Sequence, residues 1–525
     1  MKAIFNQIIH SWPFLLGIIL GIFFFLENFI GFSLSYFPGD LGDARFNMYI
    51  LEHGYRCLIG MEEHFWSAPF MYPEPNIVTY SDNLLGNVPF YGFFRIIGFD
   101  LVTSFQLWIV VVVLLNYTSC YLFLKWLLKN KYAAVAGAFV FAFSIALHAQ
   151  LAHVQVFPRY FIPLALWMLL LFKKNLNPKY FFWAVFFLVA QLYCGIYLGL
   201  FLIIPFAILI ISILIIERRS LFSSIKLLKW WSGIIIPQLF NLFLLALLML
   251  PYIESTSEGK EYETVIGTVP SIYSFFSAHQ GSLIWSGLSD VVKDHQYNWD
   301  HQLFFGGIGM LSIVVSILIL FFNKVNQRIP RMSKNIKLLM LVGVFTIVLF
   351  IRFDETSLYF LIFNLPGFNA MRSITRIINV ELLFFGLAVG YLTHLLTEKF
   401  IRIKKFLFII LLGLLVIDNA HSDSSHGRTS KKDAQLRITH LKAKMKHIPE
   451  GSLVSYEPDE VIGPSHVYHI DAMLASQALN LKCVNGYSAI SPLNYDKFWR
   501  EMNEETRLIW FKTKSFNPDT LYVIK

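Results

Sequence analysis

Two aspartates three residues apart stand in the run Pro38-Gly39-Asp40-Leu41-Gly42-Asp43-Ala44-Arg45, just past a long apolar stretch. Carboxylates at the mouth of a helix can serve as a general base or hold a divalent ion. The same pattern fits a helix start, with Asp40 as N-cap and Asp43 three residues on, a relative of the capping box. In such a helix Phe46, Ile50 and Cys57 face the membrane surface, and Glu52 pairs with Arg56 at i,i+4. Both readings are open at this point.

Other chemistry-bearing residues follow at a distance. Tyr72-Pro73-Glu74-Pro75-Asn76 and Ser81-Asp82-Asn83 carry too much proline for regular helix. Irregular polar backbone at membrane depth is tolerated where it lines a cavity or is covered by protein, which makes Glu74 and Asp82 secondary site candidates beside their reading as turn residues. His148 and His153 lie with Gln150 and Gln155 ahead of Arg159; as metal ligands they need a third group from elsewhere. Glu254, Glu258, Glu261, Glu263, His279, Asp290, Asp294, His295, Asp300 and His301 read as a solvated acidic loop. Arg372 and Arg376 open an apolar run at i,i+4, so one helical face offers two guanidinium groups, a geometry suited to phosphate or pyrophosphate. The competing roles for that pair are a lipid-headgroup anchor or an ion pair with Glu381. Glu27 is a further charge inside an apolar run, facing the bundle or reaching the interface.

The elements that position these residues follow from composition. The chain has 525 residues, 56% hydrophobic, 17% aromatic and 15% charged, with 52 Phe against 34 acidic residues. No single water-soluble core can hide so much apolar surface, and apolar runs recur at about the 18–20 residues that cross a bilayer. This excludes a soluble enzyme, a secreted disulfide scaffold and a disordered regulator. The four cysteines show neither a CxxC pair nor metal-ligand spacing.

Eleven runs read as spans: 12–33, 101–124, 132–147, 159–172, 180–195, 196–216, 231–252, 302–322, 338–351, 377–397 and 406–418. The stretch 180–216 is broken at Tyr193-Cys194-Gly195, and 159–172 and 406–418 are short. Basic residues support alternation. Twenty fall in one set of short connections, from Lys2 through Lys226, Lys324, Arg328 and Arg331 to Lys405. The far longer opposite set holds nine, counting Arg159 at its edge and including Arg372, Arg376 and Arg45, the last a further secondary site candidate. By the positive-inside bias the N-terminus is cytoplasmic and the long loops lie outside. Residues 1–418 form the transmembrane domain, with loop 34–100 carrying the aspartates, and 419–525 form a small external α/β domain. The fold class is an α-helical multi-pass membrane protein.

With these motifs in hand, the chain resembles the GT-C glycosyltransferases, integral membrane enzymes that take a sugar from a polyprenyl-phosphate donor. The resemblance is carried by Gly39–Arg45, Phe70-Met71-Tyr72-Pro73-Glu74-Pro75-Asn76 with Ser81-Asp82-Asn83, Met371-Arg372-Ser373-Ile374-Thr375-Arg376, and Val484-Asn485-Gly486-Tyr487-Ser488, most similar to a bacterial group. It implies a GT-C-like bundle in the bacterial inner membrane with a periplasmic C-terminal domain. It also implies an aspartate of the first external loop, Asp43 or Asp40, as catalytic base, and Arg372 and Arg376 on the donor phosphate. The implied partners are a polyprenyl-phosphate-sugar donor, a glycan, lipid or protein acceptor of the cell envelope, and the bilayer, with no nucleic acid. Some members require a divalent metal such as Mg or Mn and others do not, and no metal triad settles it here. Two other functions fit an apolar chain of this kind. A transporter or flippase of lipid-linked glycans is expected to show repeated halves and mid-membrane polar residues; neither is visible. A non-catalytic assembly factor for envelope polysaccharide fits if the two aspartates only cap a helix.

Overall fold

The computed structural model describes residues 11–225, 228–255, 259–293, 295, 298–322, 332–421 and 428–525. Lys2, Lys226, Lys324, Arg328 and Arg331 of the basic connections, and Glu258 and Asp294 of the acidic loop, lie outside the described residues. In chain order the longer helices are α1 (Trp12–Ile30), α2 (Asp43–Leu58), α3 (Val88–Ile96), α4 (Leu101–Leu128), α5 (Lys131–Phe143), α6 (Phe161–Asn175), α7 (Pro178–Cys194) and α8 (Ile196–Ile216). They continue with α9 (Leu228–Glu254), α10 (Gly307–Phe322), α11 (Lys334–Leu349), α12 (Ile378–Lys399), α13 (Lys404–Asp418), α14 (Lys431–Met445), α15 (Ser465–Ala478) and α16 (Glu504–Thr513).

Every one of the eleven apolar runs is helical, and among the described residues seven helices are long and apolar enough to cross a membrane. The seven include Val154–Asn175, where a 3-10 turn lengthens the short run at 159–172. Local chemistry sets the boundaries. Asp100, Asn130 and Asn177 accept the first free N–H groups of α4, α5 and α7, as N-cap side chains do. The break at Gly195 is sharp: α7 ends at Cys194, and the extended backbone of Gly195 restarts the chain as α8. At the centre of the bundle α5 packs on α12, where Gly137 and Gly386 lie so close that a Cβ on either would strike the other's backbone carbonyl. Small residues at a helix crossing permit such an approach.

Residues 428–525 form a three-stranded parallel sheet with helices α14, α15 and α16 in the same stretch. Strand β1 (Tyr36–Pro38) pairs antiparallel with β2 (Arg428–Ser430), which joins this segment to the loop after α1. In the sheet, β3 (Leu453–Tyr456) is central and runs parallel to β4 (Lys482–Cys483) and β5 (Leu521–Ile524). The segment is also tied to α2. Arg45, fully buried, is ion-paired to Asp471 on α15, whose other oxygen takes Arg437 at 2.6 Å. Arg56 donates to Asn480, and Gln477 donates to the Tyr49 carbonyl at 3.2 Å.

These contacts correct several expectations for α2. Phe46 and Ile50 are buried inside the protein, with 2% and 0% of their surface exposed, because α15 and the 60–90 loop cover them. The Glu52–Arg56 pair does not form. Glu52 instead takes Arg95 at 2.8 Å and the Tyr91 hydroxyl at 2.6 Å, and Arg56 turns to Glu62 at 3.3 Å. Partners from other elements, placed by tertiary packing, outcompete a pair worth only about 0.3–0.5 kcal/mol. Glu27 is half-buried and accepts the Phe32 N–H at 2.7 Å at the end of α1.

Asp471→Ala strips the buried Arg45 of its counter-charge. The expected loss of stability is about 3–5 kcal/mol, visible as a lowered Tm of the detergent-purified protein.

Candidate active site

A turn and a helix start define the position of the first aspartate pair. Gly39 has φ 75°, a conformation that favours glycine, and Ala152 packs so close that a side chain there would collide. The turn ends on Gly42, whose N–H donates to Asp40 Oδ1 at 2.9 Å. Helix α2 therefore begins at Asp43 with Gly42 as its cap residue. The expected cap, with Asp40 at the N-cap and Asp43 three residues in, is not formed, because the glycine turn delays the helix.

Asp43 is held by two distant side chains. His153 Nδ1 donates to its Oδ2 at 2.6 Å, and the Tyr487 hydroxyl donates to its Oδ1. Burial pushes the Asp43 carboxyl up, but the bond and charge of His153, the Tyr487 phenol and the charge of Arg376 outweigh it. The net effect holds Asp43 well below the usual carboxylate range, so it is ionised. Burial and the neighbouring Asp43 charge push the Tyr487 phenol up, so it remains a donor.

Beside Asp43 opens a cavity of about 370 Å³, lined by Asn47, Tyr80, Asp82, Gln155, Tyr197, Tyr252, Lys260, Arg372, Arg376 and Tyr487 among others. Asp82, 5% exposed, accepts the Tyr197 N–H at 3.3 Å at the start of α8. Burial raises its carboxyl to about 6, against the lowering effect of the Tyr197 and Ile196 N–H groups and of Arg376. Two carboxylates in one cavity are thus driven apart, one fixed as an anion and one able to gain and lose a proton near neutrality.

The cations come from elsewhere. Arg372 and Arg376 do not share an α-helical face as expected. Arg372 precedes a 3-10 turn, Ile374–Ile377, and α12 starts only at Ile378. Both nonetheless line the cavity, Arg372 exposed and Arg376 at 4%. Tyr197 organises them. Its hydroxyl accepts the Arg372 N–H at 2.5 Å and the Ser373 N–H at 3.4 Å, and its ring lies under the Arg376 guanidinium at 5.1 Å. Glu381 is fully buried and does not pair with Arg376; among the described residues neither of its oxygens has a hydrogen-bond partner.

Other candidates lie apart from the cavity lining. Asp40 is occupied with the Gly42 turn, and Arg45 with Asp471. Glu74 accepts the Tyr80 hydroxyl at 2.9 Å and pairs with Lys514, tying the loop to α16. His148 and His153 do not converge: His148 stacks on His421 with ring centroids 4.5 Å apart, among Phe25 and Phe29. Among the described residues no three metal-ligating side chains are placed around one point, and both Asp43 oxygens already carry protein bonds. The acidic loop is not wholly solvated either, since Asp300 and His301 are buried. Asp300 Oδ2 accepts the Ser373 hydroxyl at 3.0 Å, behind Arg376.

Tyr197, Tyr252 and Lys260 were not singled out as site residues by sequence reasoning. The one available signal for Tyr197 is its position two residues after the Gly195 break, where a helix must restart.

No protein-family model matches this chain, and no curated protein does. Among solved structures it is similar to the archaeal oligosaccharyltransferase AglB from Archaeoglobus fulgidus, in complex with an inhibitory peptide and a dolichol-phosphate. The identity is 13% over 98% of this chain and 69% of that one, with a TM-score of 0.49. It is also similar to the oligosaccharyltransferase of that organism tethered to an acceptor peptide with the NVT sequon, at 12%, 98%, 69% and 0.49. The apo form of that enzyme gives 12%, 96%, 68% and 0.45.

At every pH above the ordinary carboxyl value of 3.8, Asp43 is expected to stay ionised. Its protonated-carboxyl infrared band, assigned by difference with Asp43→Asn, is expected to be absent from the wild type over that range and to set in at a higher pH in His153→Ala than in the wild type.

Proposed function

We propose that this protein is an integral membrane glycosyltransferase. It moves a sugar from a polyprenyl-phosphate donor to an envelope glycan, lipid or protein acceptor on the external face, with an aspartate as general base. The observation that carries this reading is the single cavity in which Asp43 and Asp82 face Arg372, Arg376 and Lys260. Glycosyl transfer needs both signs of charge in one enclosure. Positive character develops at the anomeric carbon, which a carboxylate stabilises, while the departing phosphate gains negative charge, which guanidinium groups neutralise. Enclosure strengthens both effects by lowering the local dielectric.

The motif resemblance supports the same reading, as does the apolar bundle around the cavity, which suits a lipid-linked donor. In this reading the N-terminus is cytoplasmic, residues 1–418 form the transmembrane domain, and residues 419–525 are a periplasmic domain that covers the cavity. The Arg372 and Arg376 charges answer the leaving group, with or without a divalent metal such as Mg or Mn.

The test is binding and transfer with the purified protein. Arg372→Ala and Arg376→Ala are each expected to weaken polyprenyl-phosphate binding by roughly 10–150-fold, the value of a charge-assisted hydrogen bond. Unchanged affinity removes the phosphate role. Asp43→Asn is expected to slow sugar transfer by about 10²-fold or more, as loss of a group aimed at developing charge does; a folded variant at full rate removes Asp43 from the chemistry.

A further inference from the structure

The cavity holds two aspartates in opposite circumstances. Asp43 has each oxygen bound by a side chain, His153 on one and Tyr487 on the other. Asp82 has no side-chain hydrogen bond among those of the described residues. Its carboxyl accepts only backbone N–H groups at the start of α8, from Tyr197 at 3.3 Å and from Ile196. Both line the same space. A group that must accept and release a proton in each turnover needs an uncommitted oxygen facing the substrate, whereas a group that stabilises charge benefits from being fixed.

Resting on the glycosyl-transfer reading, we propose that Asp82 takes the proton of the attacking hydroxyl, while Asp43 remains an anion facing the anomeric carbon. The acceptor oxygen forms its bond to the anomeric carbon as the bond from that carbon to the donor phosphate oxygen breaks. The bonding electron pair leaves on the phosphate, beside Arg372 and Arg376, and the hydroxyl proton passes to Asp82. Asp82 then releases it through the open side of the cavity. Among the described residues, the charged and titratable groups that line the cavity with Asp82 are Tyr80 beside it, Tyr197 on α8, Tyr252 on α9, Lys260, Arg372 and Arg376 ahead of α12, Tyr487 after β4, and Asp43 on α2 across the cavity. Arg376 is a cation that acts on Asp82. It also acts on Asp43, so the two carboxylates share a counter-charge and differ in their other partners.

A merely structural Asp82 would hold the N-terminus of α8 through Tyr197, and an asparagine oxygen would do the same. Asp82→Asn therefore separates the two roles. The first measurement needs no turnover: the infrared difference between wild type and Asp82→Asn in lipid nanodiscs. A carboxylic C=O band that titrates near pH 6 is expected in the wild type alone, and its absence overturns the proposal whatever the enzyme does.

The second measurement is release of polyprenyl phosphate from a panel of polyprenyl-phosphate hexoses, in native membranes that carry the acceptor. Asp82→Asn is expected to lower kcat by about 100-fold or more, with donor KM within about twofold, and to abolish the fall in rate below pH 6. Asp82→Glu is expected to restore part of the rate and the acid limb. Wild-type rate and an unchanged acid limb in Asp82→Asn overturn the proposal while leaving glycosyl transfer intact. A titrating band with no donor turned over by the wild type overturns the glycosyl-transfer reading, and the proposal with it.

Discussion

An ionised carboxylate taken out of water has to be answered by partners, and most of this structure can be traced to how Asp43 is answered. Its two oxygens bind His153 and Tyr487, and Arg376 adds its charge. These groups come from the start of α2, the turn before α6, the segment after β4, and the turn before α12. No two are near in sequence. The positions of the loop after α1, of the C-terminal sheet and of α12 are therefore coupled through one side chain, and the Arg45–Asp471 pair along the same helix secures that coupling.

The second organising feature is the interrupted helix at Gly195. By ending α7 and restarting as α8, the chain brings free N–H groups of a helix start to the wall of the cavity, where they meet Asp82. Such groups favour an anion, yet burial outweighs them at Asp82. The same restart carries Tyr197, which joins Asp82 through its N–H, the Arg372 backbone through its hydroxyl, and Arg376 through its ring. The electrostatics of the cavity are thus set by a backbone break as much as by the charged residues themselves.

The helices were legible in the sequence because apolar runs with polar breaks leave few alternatives, and the break at Gly195 could be located to the three residues Tyr193-Cys194-Gly195. Individual partners were not legible. Glu52 and Arg56 stand at helical spacing but each finds a stronger partner from another element, and Arg372 and Arg376 meet at the cavity by a 3-10 turn rather than by helical periodicity. Asp40 and Asp43 form a motif in sequence, but the Gly42 turn separates their surroundings. Asp300 and His301 read as solvated because acidic loops usually are; burial against the Ser373 turn is a tertiary event that composition does not encode. Tyr197 had no charge to draw notice, and its importance comes from contacts that exist only after folding.

The link between Asp43 and Tyr487 spans 444 residues. At a synthesis rate of about 5–20 residues per second, roughly 20–90 s separate the appearance of the two residues on the ribosome. During that interval the cavity has its first carboxylate but lacks the phenol that binds it, the Asp471 that anchors α2, and the wall formed by Ala489 and Ile490. Assembly of the site is therefore a late event in biogenesis, completed only after the segment that holds Tyr487 and Ile490 has been made. A ribosome that stalls or releases the chain early leaves a bundle of apolar helices in which the cavity has never closed.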